Sequence, residues 1–497
     1  LPSNSFKLGS NLDLERLAAV ADGARASLPA SALGRVAASR AVLERAMASG
    51  GPIYGVNTGF GELASTRISN ERLAQMQRNL VLSHACGVGE PLPERNARAI
   101  LFLRLNELSR GCSGVRPSLV RHLARMLDSG IVPLIPSRGS VGASGDLAPQ
   151  AHLALAVIGE GDVLFRGRRM SAAAALKKSG LKPFVLSAKE GLALLNGTQA
   201  MQSVGGLAIL CAERVWRAAQ LACAASLDAL TGTPAPYDAA VQELKPHPGQ
   251  VESARSLRRL LAGSEIRRSH VVDDPRVQDS YSLRCAPQVH GAVWDRLVEA
   301  RRTVEIEMRS VTDNPLIFKG RVISGGNFHG QALSFAFDSA AGALAALGNI
   351  SERRTFQVTA GQAPRLKPFL SQDPGVESGF MIAQYTAAAL ASENKTLAHP
   401  ASADSIPTSA NKEDFVSMGM WSALKLQRVV WNCAQVVAIE LVSAAQAIEF
   451  HRPLKSGALV EKGLAVLRRR VAKSRGDEIL SGKLETAREM ILSGDFE

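Results

Sequence analysis

The stretch "WSALKLQRVVWNCAQVVAIELVSAAQAIEF", residues 421–450, constrains the fold of this chain more than any other. Its apolar residues do not keep to one stripe; they nearly encircle a helix. Such a helix is stable only where most of its faces are covered, by other elements or by another copy of the chain. A second run, "GQALSFAFDSAAGALAALGNISERR" at 330–354, has the same texture. Both exceed an ordinary globular helix, so the pattern predicts a mainly α protein with a long helix bundle from about residue 203 onward. No stretch of about 18 apolar residues is free of charge, so no membrane span is expected.

Residues 1–202 read differently, as shorter helices broken by glycine-rich loops. "ISNERLAQMQRNLVLSHA" carries Leu73, Met76, Leu80 and Leu82 near helical spacing, with Ser69 or Asn70 as a cap. "ARAILFLRLNELSRG" stops at Gly111, and "GIVPLIPSRGSVGASG" is a Pro/Gly loop. Strand candidates, "VLFRGRRM" and "PLIF", are short. The opening residues are polar and turn amphipathic, unlike a secretory leader. We therefore expect two domains, residues 1–202 and 203–497.

Composition excludes several function classes. The six cysteines are scattered with no CxxC pair, which suits reduced, mostly buried thiols and a cytoplasmic setting. The nine histidines form no HExxH motif, so no protein-bound metal is expected. The net charge is +13, but its basic doublets are dispersed and poor in aromatics, so nucleic acid is not an expected partner. A positive field of this kind favours an anionic small-molecule substrate. "GFGELA" at 59–64 matches a dinucleotide fingerprint formally, but no βαβ pattern surrounds it.

Ala143-Ser144-Gly145 carries chemistry of another kind. Gly145 has no side chain, so its nitrogen can approach other backbone closely. Attack of that nitrogen on the Ala143 carbonyl carbon closes a five-membered ring. Loss of two waters, one carrying away the Ser144 hydroxyl, then leaves a methylidene-imidazolone, an electrophile made from the chain. The following "DLAPQAHLALAV" reads as a helix whose N-terminus favours negative charge nearby. On its own the tripeptide reads first as a Gly/Ser loop before a helix. It is no serine-hydrolase elbow, because Asp146 stands where the last glycine of GxSxG is needed.

The wider segment "GSVGASGDLAPQAHLAL" resembles the prosthetic-group segment of the aromatic amino acid ammonia-lyases and aminomutases. Further segments match that family in order: "IYGVNTGFGELA", "NLVLSHACGVGEPL", "EGLALLNGTQAM", "VQDSYSLRCAPQVHG", "SVTDNPLI" and "GGNFHGQ". So does the long segment beginning "GFMIAQYTAAALASENK" and ending "SANKEDFVSMG". The resemblance spans roughly residues 5–490 and is strongest, in the last segment, to the branch acting on histidine. It implies an ammonia-lyase-type fold with an N-terminal catalytic domain. It also implies an autocatalytic methylidene-imidazolone from Ala143-Ser144-Gly145 and a homotetramer with shared sites.

The resemblance further implies roles for individual residues. Tyr54 is the base for the substrate β-proton; read alone, it is a packed aromatic with a bonded hydroxyl. Tyr281 assists ring formation and amine handling, and Arg284 holds the substrate carboxylate in a bidentate grip. Tyr281 and Arg284 are three apart, so a helix would put them on one face, with Gln278 one turn earlier. Asn196, otherwise a helix-end cap, bonds near the ring or substrate, and Phe328 packs there. His84 and Glu413 face the substrate, and a histidine with a carboxylate suits the two nitrogens of an imidazole. The implied reaction is elimination of ammonia from L-histidine to give trans-urocanate. Lys412 and Phe415 depart from the histidine branch, which reads Gln and His there, and "NFHGQAL" is closer to the phenylalanine and tyrosine branches. A phenylalanine or tyrosine ammonia-lyase and an aminomutase stay open as alternatives, as does an inactive helical scaffold.

Overall fold

The computed structural model describes residues 6–497 apart from 273 and 275. The first five residues of the amphipathic start lie outside the described residues. The protein is mainly α. Its longest helices are Gln199–Ala229, Ala286–Arg309, Gln331–Thr359 and Gly419–Ile448, of 31, 24, 29 and 30 residues. The two apolar runs read from the sequence are the last two of these. Both are long and apolar enough, by length and composition, to cross a membrane. Their most apolar windows are instead 61% and 89% buried within the protein, as core helices are.

The chain forms two compact units. One comprises the residues up to Leu207 with Arg301–Phe337 and Pro400–Leu424; the other comprises Ala208–Ala300, Asp338–His399 and Lys425–Glu497. Parts of the second half of the sequence thus group with the N-terminal residues.

Within the first unit the strands are short, as expected. Ile131–Pro133, Asp162–Phe165 and Arg168–Ser171 form an antiparallel sheet with Val132 opposite Leu164 and Val163 opposite Met170. The last two strands join through Arg166 and Gly167, both at positive φ, the hairpin geometry that matches strand twist. A second hairpin pairs Leu316–Phe318 with Arg321–Ile323. Ile53 and Val56, on either side of Tyr54, sit in an apolar cluster with Leu43, Leu73, Ala188 and Ile317. That burial anchors the loop that carries the tyrosine.

Helix ends differ in detail from the sequence reading. Ser69 precedes a short 3-10 turn, Asn70–Arg72, and gives no side-chain cap; the α-helix runs from Leu73 to His84. Only Cys223 and Cys433 are buried, and Cys86, in the loop just past that helix, is exposed. Mostly buried thiols were expected, but Cys112, Cys211 and Cys285 are half-buried, and the loop position explains the exposure of Cys86.

Candidate active site

Ser144 lies in a loop that ends at the Leu147–Val157 helix. The loop is tied down from the other side by the segment following Glu413. Met418 N donates to Val141 O at 2.8 Å, and Ser417 Oγ donates to Gly142 O at 2.9 Å. These bonds bring Glu413 beside the tripeptide, and Ser144 Oγ donates to Glu413 Oε1 at 2.9 Å. The other carboxylate oxygen accepts from Thr408 Oγ1 at 3.0 Å.

The backbone of Ser144 and Gly145 lies against the turn Asn196–Gly197. Gly197 N donates to Ser144 O at 3.3 Å, and Asp146 N donates to Gly197 O at 2.8 Å. The hydrogen-bond network orients the Asn196 amide so that its nitrogen donates to Ser144 O at 3.1 Å and its oxygen accepts from Asn314 N at 2.8 Å. The Ser144 carbonyl therefore receives two N–H donors. Gly145 has φ +71°, and a Cβ on it would lie 2.1 Å from Gly197 O, so only glycine fits there. Gly197 is equally confined, with Arg104, Gln199 and Thr312 side-chain atoms all within 2.8 Å of where its Cβ would be.

A buried polar network sets that turn. Arg104 donates to Asn196 O at 2.8 Å and to the Gln199 side chain. Gln199 and Thr312 both donate to Glu107, and Lys189 reaches both oxygens of Asp313 at 2.8 Å. Arg104, Lys189 and Asp313 are wholly buried. None of these residues stood out in the sequence as a site residue. Their one signal was charge inside an apolar helical run, as in "ILFLRLNEL".

Asp146 was also missed beyond its place after the tripeptide. It is fully buried, accepting from Ser140 Oγ at 2.8 Å and from Met201 N at 2.9 Å, at the start of the Gln199–Ala229 helix. Burial pushes its pKa up to about 6 against those hydrogen bonds. A carboxyl raised in the folded state contributes stability that is fully present below its unfolded pKa of 3.8 and is lost as pH rises through about 6. The contribution is on the order of 3 kcal/mol. We expect acidification from pH 7 to pH 5 to raise the melting temperature of the native protein relative to Asp146→Asn. Parallel melting curves for the two proteins across that range would contradict this.

Tyr54, His84, Ser144, Asn196 and Glu413 line one cavity of about 570 Å³. The Leu73–His84 helix contributes a stripe, Met76, Leu80 and His84, to the wall. Gln77, fully buried, holds the tyrosine loop to the Glu190–Leu195 helix by donating to Gly55 O at 3.2 Å and accepting from Leu192 N at 3.1 Å. The Tyr54 hydroxyl accepts from Gly61 N at 3.3 Å. Burial lowers the His84 pKa, outweighing the opposing effects of the Leu80 carbonyl and of Glu413, so its ring is neutral at pH 7. Its Nδ1 lies 3.1 Å from Ser83 Oγ. Lys412 pairs with Glu62 at 3.4 Å, joining the loop of Glu413 to the loop of Tyr54.

The remaining sequence-selected residues are divided between the two units, Phe328 in the first and the others in the second. Phe328, half-buried, does not line the cavity. Gln278, Tyr281 and Arg284 belong to the second compact unit. Tyr281–Arg284 is a single helical turn, with Tyr281 72% exposed and Arg284 hydrogen-bonded to Gln278 Oε1. Among the described residues no group of three or more His, Cys, Asp or Glu is placed to hold a metal ion.

A histidine ammonia-lyase of Myxococcus xanthus is 49% identical over 491 residues, covering 98% of this chain and 96% of the relative. The crystal structure of histidine ammonia-lyase from Trypanosoma cruzi superposes with a TM-score of 0.92 at 39% identity, covering 99% of this chain and 94% of that one. Tyrosine aminomutase from Streptomyces globisporus superposes with a TM-score of 0.93 at 36% identity, covering 99% and 98%. The family profile described as aromatic amino acid lyase matches residues 12–469, and the chain belongs to that family.

Proposed function

We propose that this protein eliminates ammonia from L-histidine to give trans-urocanate, using a methylidene-imidazolone that forms from Ala143-Ser144-Gly145. The observation that carries the reading is the pairing of Ser144 with Glu413 in a cavity that His84 also lines. The residues present fit the group. The Ser144 hydroxyl, which ring formation must expel, already bonds a carboxylate, and its carbonyl oxygen meets two N–H donors. The close seat of Gly145 against Gly197 admits no side chain. Once formed, the ring supplies an electrophilic carbon that takes up electron density from the substrate, a sink ordinary side chains lack.

The chain's own residues do the rest. The Tyr54 hydroxyl stands at the cavity wall to take the β-proton. Neutral His84 and the Glu413 carboxylate offer complementary hydrogen bonds to an imidazole, which presents one donor and one acceptor nitrogen. Asn196 holds the Ser144 carbonyl in place and polarises it. Arg284 grips the substrate carboxylate as a planar fork, Gln278 orients Arg284, Tyr281 serves the amine, and Phe328 borders the ring. In role, residues 1–202 supply the prosthetic group and residues 203–497 supply the substrate-binding loops and the oligomer contacts.

We assign a homotetramer in the cytoplasm, with each site completed by more than one subunit. Exposed apolar side chains on the long helices of the second unit support this. Phe356 is 41%, Ile382 57%, Tyr385 60% and Trp431 43% exposed, which is a surface suited to burial between copies.

The likeness to an aminomutase and the residues Lys412 and Phe415 favour a second reading, in which the same machinery serves tyrosine or phenylalanine. Ultraviolet assays with L-histidine, L-phenylalanine and L-tyrosine offered separately decide between them. We expect urocanate from histidine. Cinnamate or coumarate without urocanate would reject the substrate assignment, and a β-amino acid product would establish a mutase.

A further inference from the structure

We infer that Tyr237 and the buried Arg354–Glu440 pair are positioning residues for the turn Tyr281–Arg284. The inference rests on the reading above, in which that turn presents Tyr281 and Arg284 to substrate. All of these residues lie in the second compact unit.

A helix of four residues cannot hold its own geometry, because nucleation fixes several dihedrals for one hydrogen bond. Something else must fix it if Arg284 is to grip a carboxylate through a fork. The structure shows the grip. The middle residues, Ser282 and Leu283, are buried, whereas the end residues, Tyr281 and Arg284, are exposed. Arg354 Nη1 donates to Ser282 O at 3.1 Å, and Tyr237 OH donates to Leu283 O at 2.7 Å. Gln357 Nε2 donates to Ser282 Oγ at 2.7 Å, and Ser280 Oγ donates to Gln357 Oε1 at 2.8 Å. Two buried donors thus hold consecutive carbonyls of the turn, and a third side chain brackets its start.

The donors are themselves fixed. Arg354 and Glu440 are both wholly buried and meet in a bidentate pair, Nε to Oε1 at 2.5 Å and Nη2 to Oε2 at 2.8 Å. Ser226 and Ser351 hydroxyls donate to the same carboxylate at 2.8 and 2.6 Å. Well-packed apolar residues usually stabilise a core as well as such a pair does, so stability alone gives no reason for it. The donation from Arg354 to Ser282 O does give one. Bidentate pairing with Glu440 along one edge fixes the guanidinium, and so fixes Nη1, which meets Ser282 O and lies 3.3 Å from His290 Nε2. Tyr237 is fully buried, and burial keeps its hydroxyl protonated and therefore a donor. The exposed faces of Tyr281 and Arg284 are left free, as presentation to substrate requires.

The test is Tyr237→Phe, which removes one hydroxyl and keeps the ring. The readout is calorimetric binding of 3-(imidazol-4-yl)propionate, a carboxylate lacking the reacting amine, with 3-phenylpropionate as a second probe. Tyr237→Phe is expected to weaken binding about tenfold and to lower kcat/KM, and Arg354→Lys, which loses the fork, to do so further. In an Arg284→Gln background, Tyr237→Phe is expected to have no further effect on binding, because the clamp acts through the turn. Should Arg354→Lys not fold, Gln357→Ala takes its place. Equal binding by native protein and Tyr237→Phe, or a full additional loss in the Arg284→Gln background, would overturn the clamp. Absence of urocanate from the native protein would reject the histidine reading alone, and 3-phenylpropionate then reports on the clamp. If neither probe binds the native protein, the carboxylate role of Arg284 and the clamp fall together.

Discussion

Ser144→Ala is expected to give a folded protein whose kcat/KM is lower by a factor on the order of 10³ to 10⁶. The side chain removed is small and half-buried, and the bond lost is one hydrogen bond to Glu413 at 2.9 Å. Its loss costs about 1 kcal/mol, which a chain of this size tolerates. The chemical loss is far larger, because alanine has no hydroxyl to expel and its Cβ cannot become the exocyclic double bond that makes the ring electrophilic. Two measurements check this together. The intact mass of the native protein should fall short of the encoded mass by two waters, and that of Ser144→Ala should not show the full deficit. An active Ser144→Ala variant, or a native protein of encoded mass that turns over substrate, would remove the electrophile from the account.

Gly145→Ala should be as damaging by a different route. The added Cβ would meet Gly197 O at 2.1 Å, backbone against backbone, with no flexible side chain to yield. The residue also sits at φ +71°, where an L side chain is strained. Together the strain and overpacking cost about 3 kcal/mol. The activity loss should exceed what that destabilisation explains. Pushing Gly197 away removes its N–H from the Ser144 carbonyl, where one of the two donors lies. We expect a lowered melting temperature, a missing mass deficit and no detectable product at temperatures where the variant remains folded. A Gly145→Ala protein that still loses two waters would show that the close seat is not what shapes the tripeptide for cyclisation.

Much of this protein was legible in one dimension because its signals are local. Helical spacing placed the Leu73–His84 helix and the apolar 421–450 run, whereas "VLFRGRRM", read as one strand candidate, is a hairpin that turns at Arg166 and Gly167. The three-residue spacing of Tyr281 and Arg284 left open whether their segment is helical, and the structure makes it a single turn. The reactive tripeptide was legible for the same reason, since its chemistry needs only adjacent atoms. Asn196 read as a helix-end cap, and it does end the Glu190–Leu195 helix. What it does there, bonding Ser144 O from 52 positions away (196 − 144), has no local signature.

The sequence by itself determined the helical class, the loop boundaries and the residue types able to react, because periodicity and covalent neighbourhood act over a few residues. Only the tertiary structure decided which of those residues meet. Glu413 reaches Ser144 across 269 positions because the segment behind it is hydrogen-bonded to Val141 and Gly142. Arg104, Glu107, Gln199 and Thr312 became one network only when burial left them no water and made each the partner of another. Contacts of that kind depend on the desolvation of polar groups in a closed core, and an unfolded chain has no such core to show.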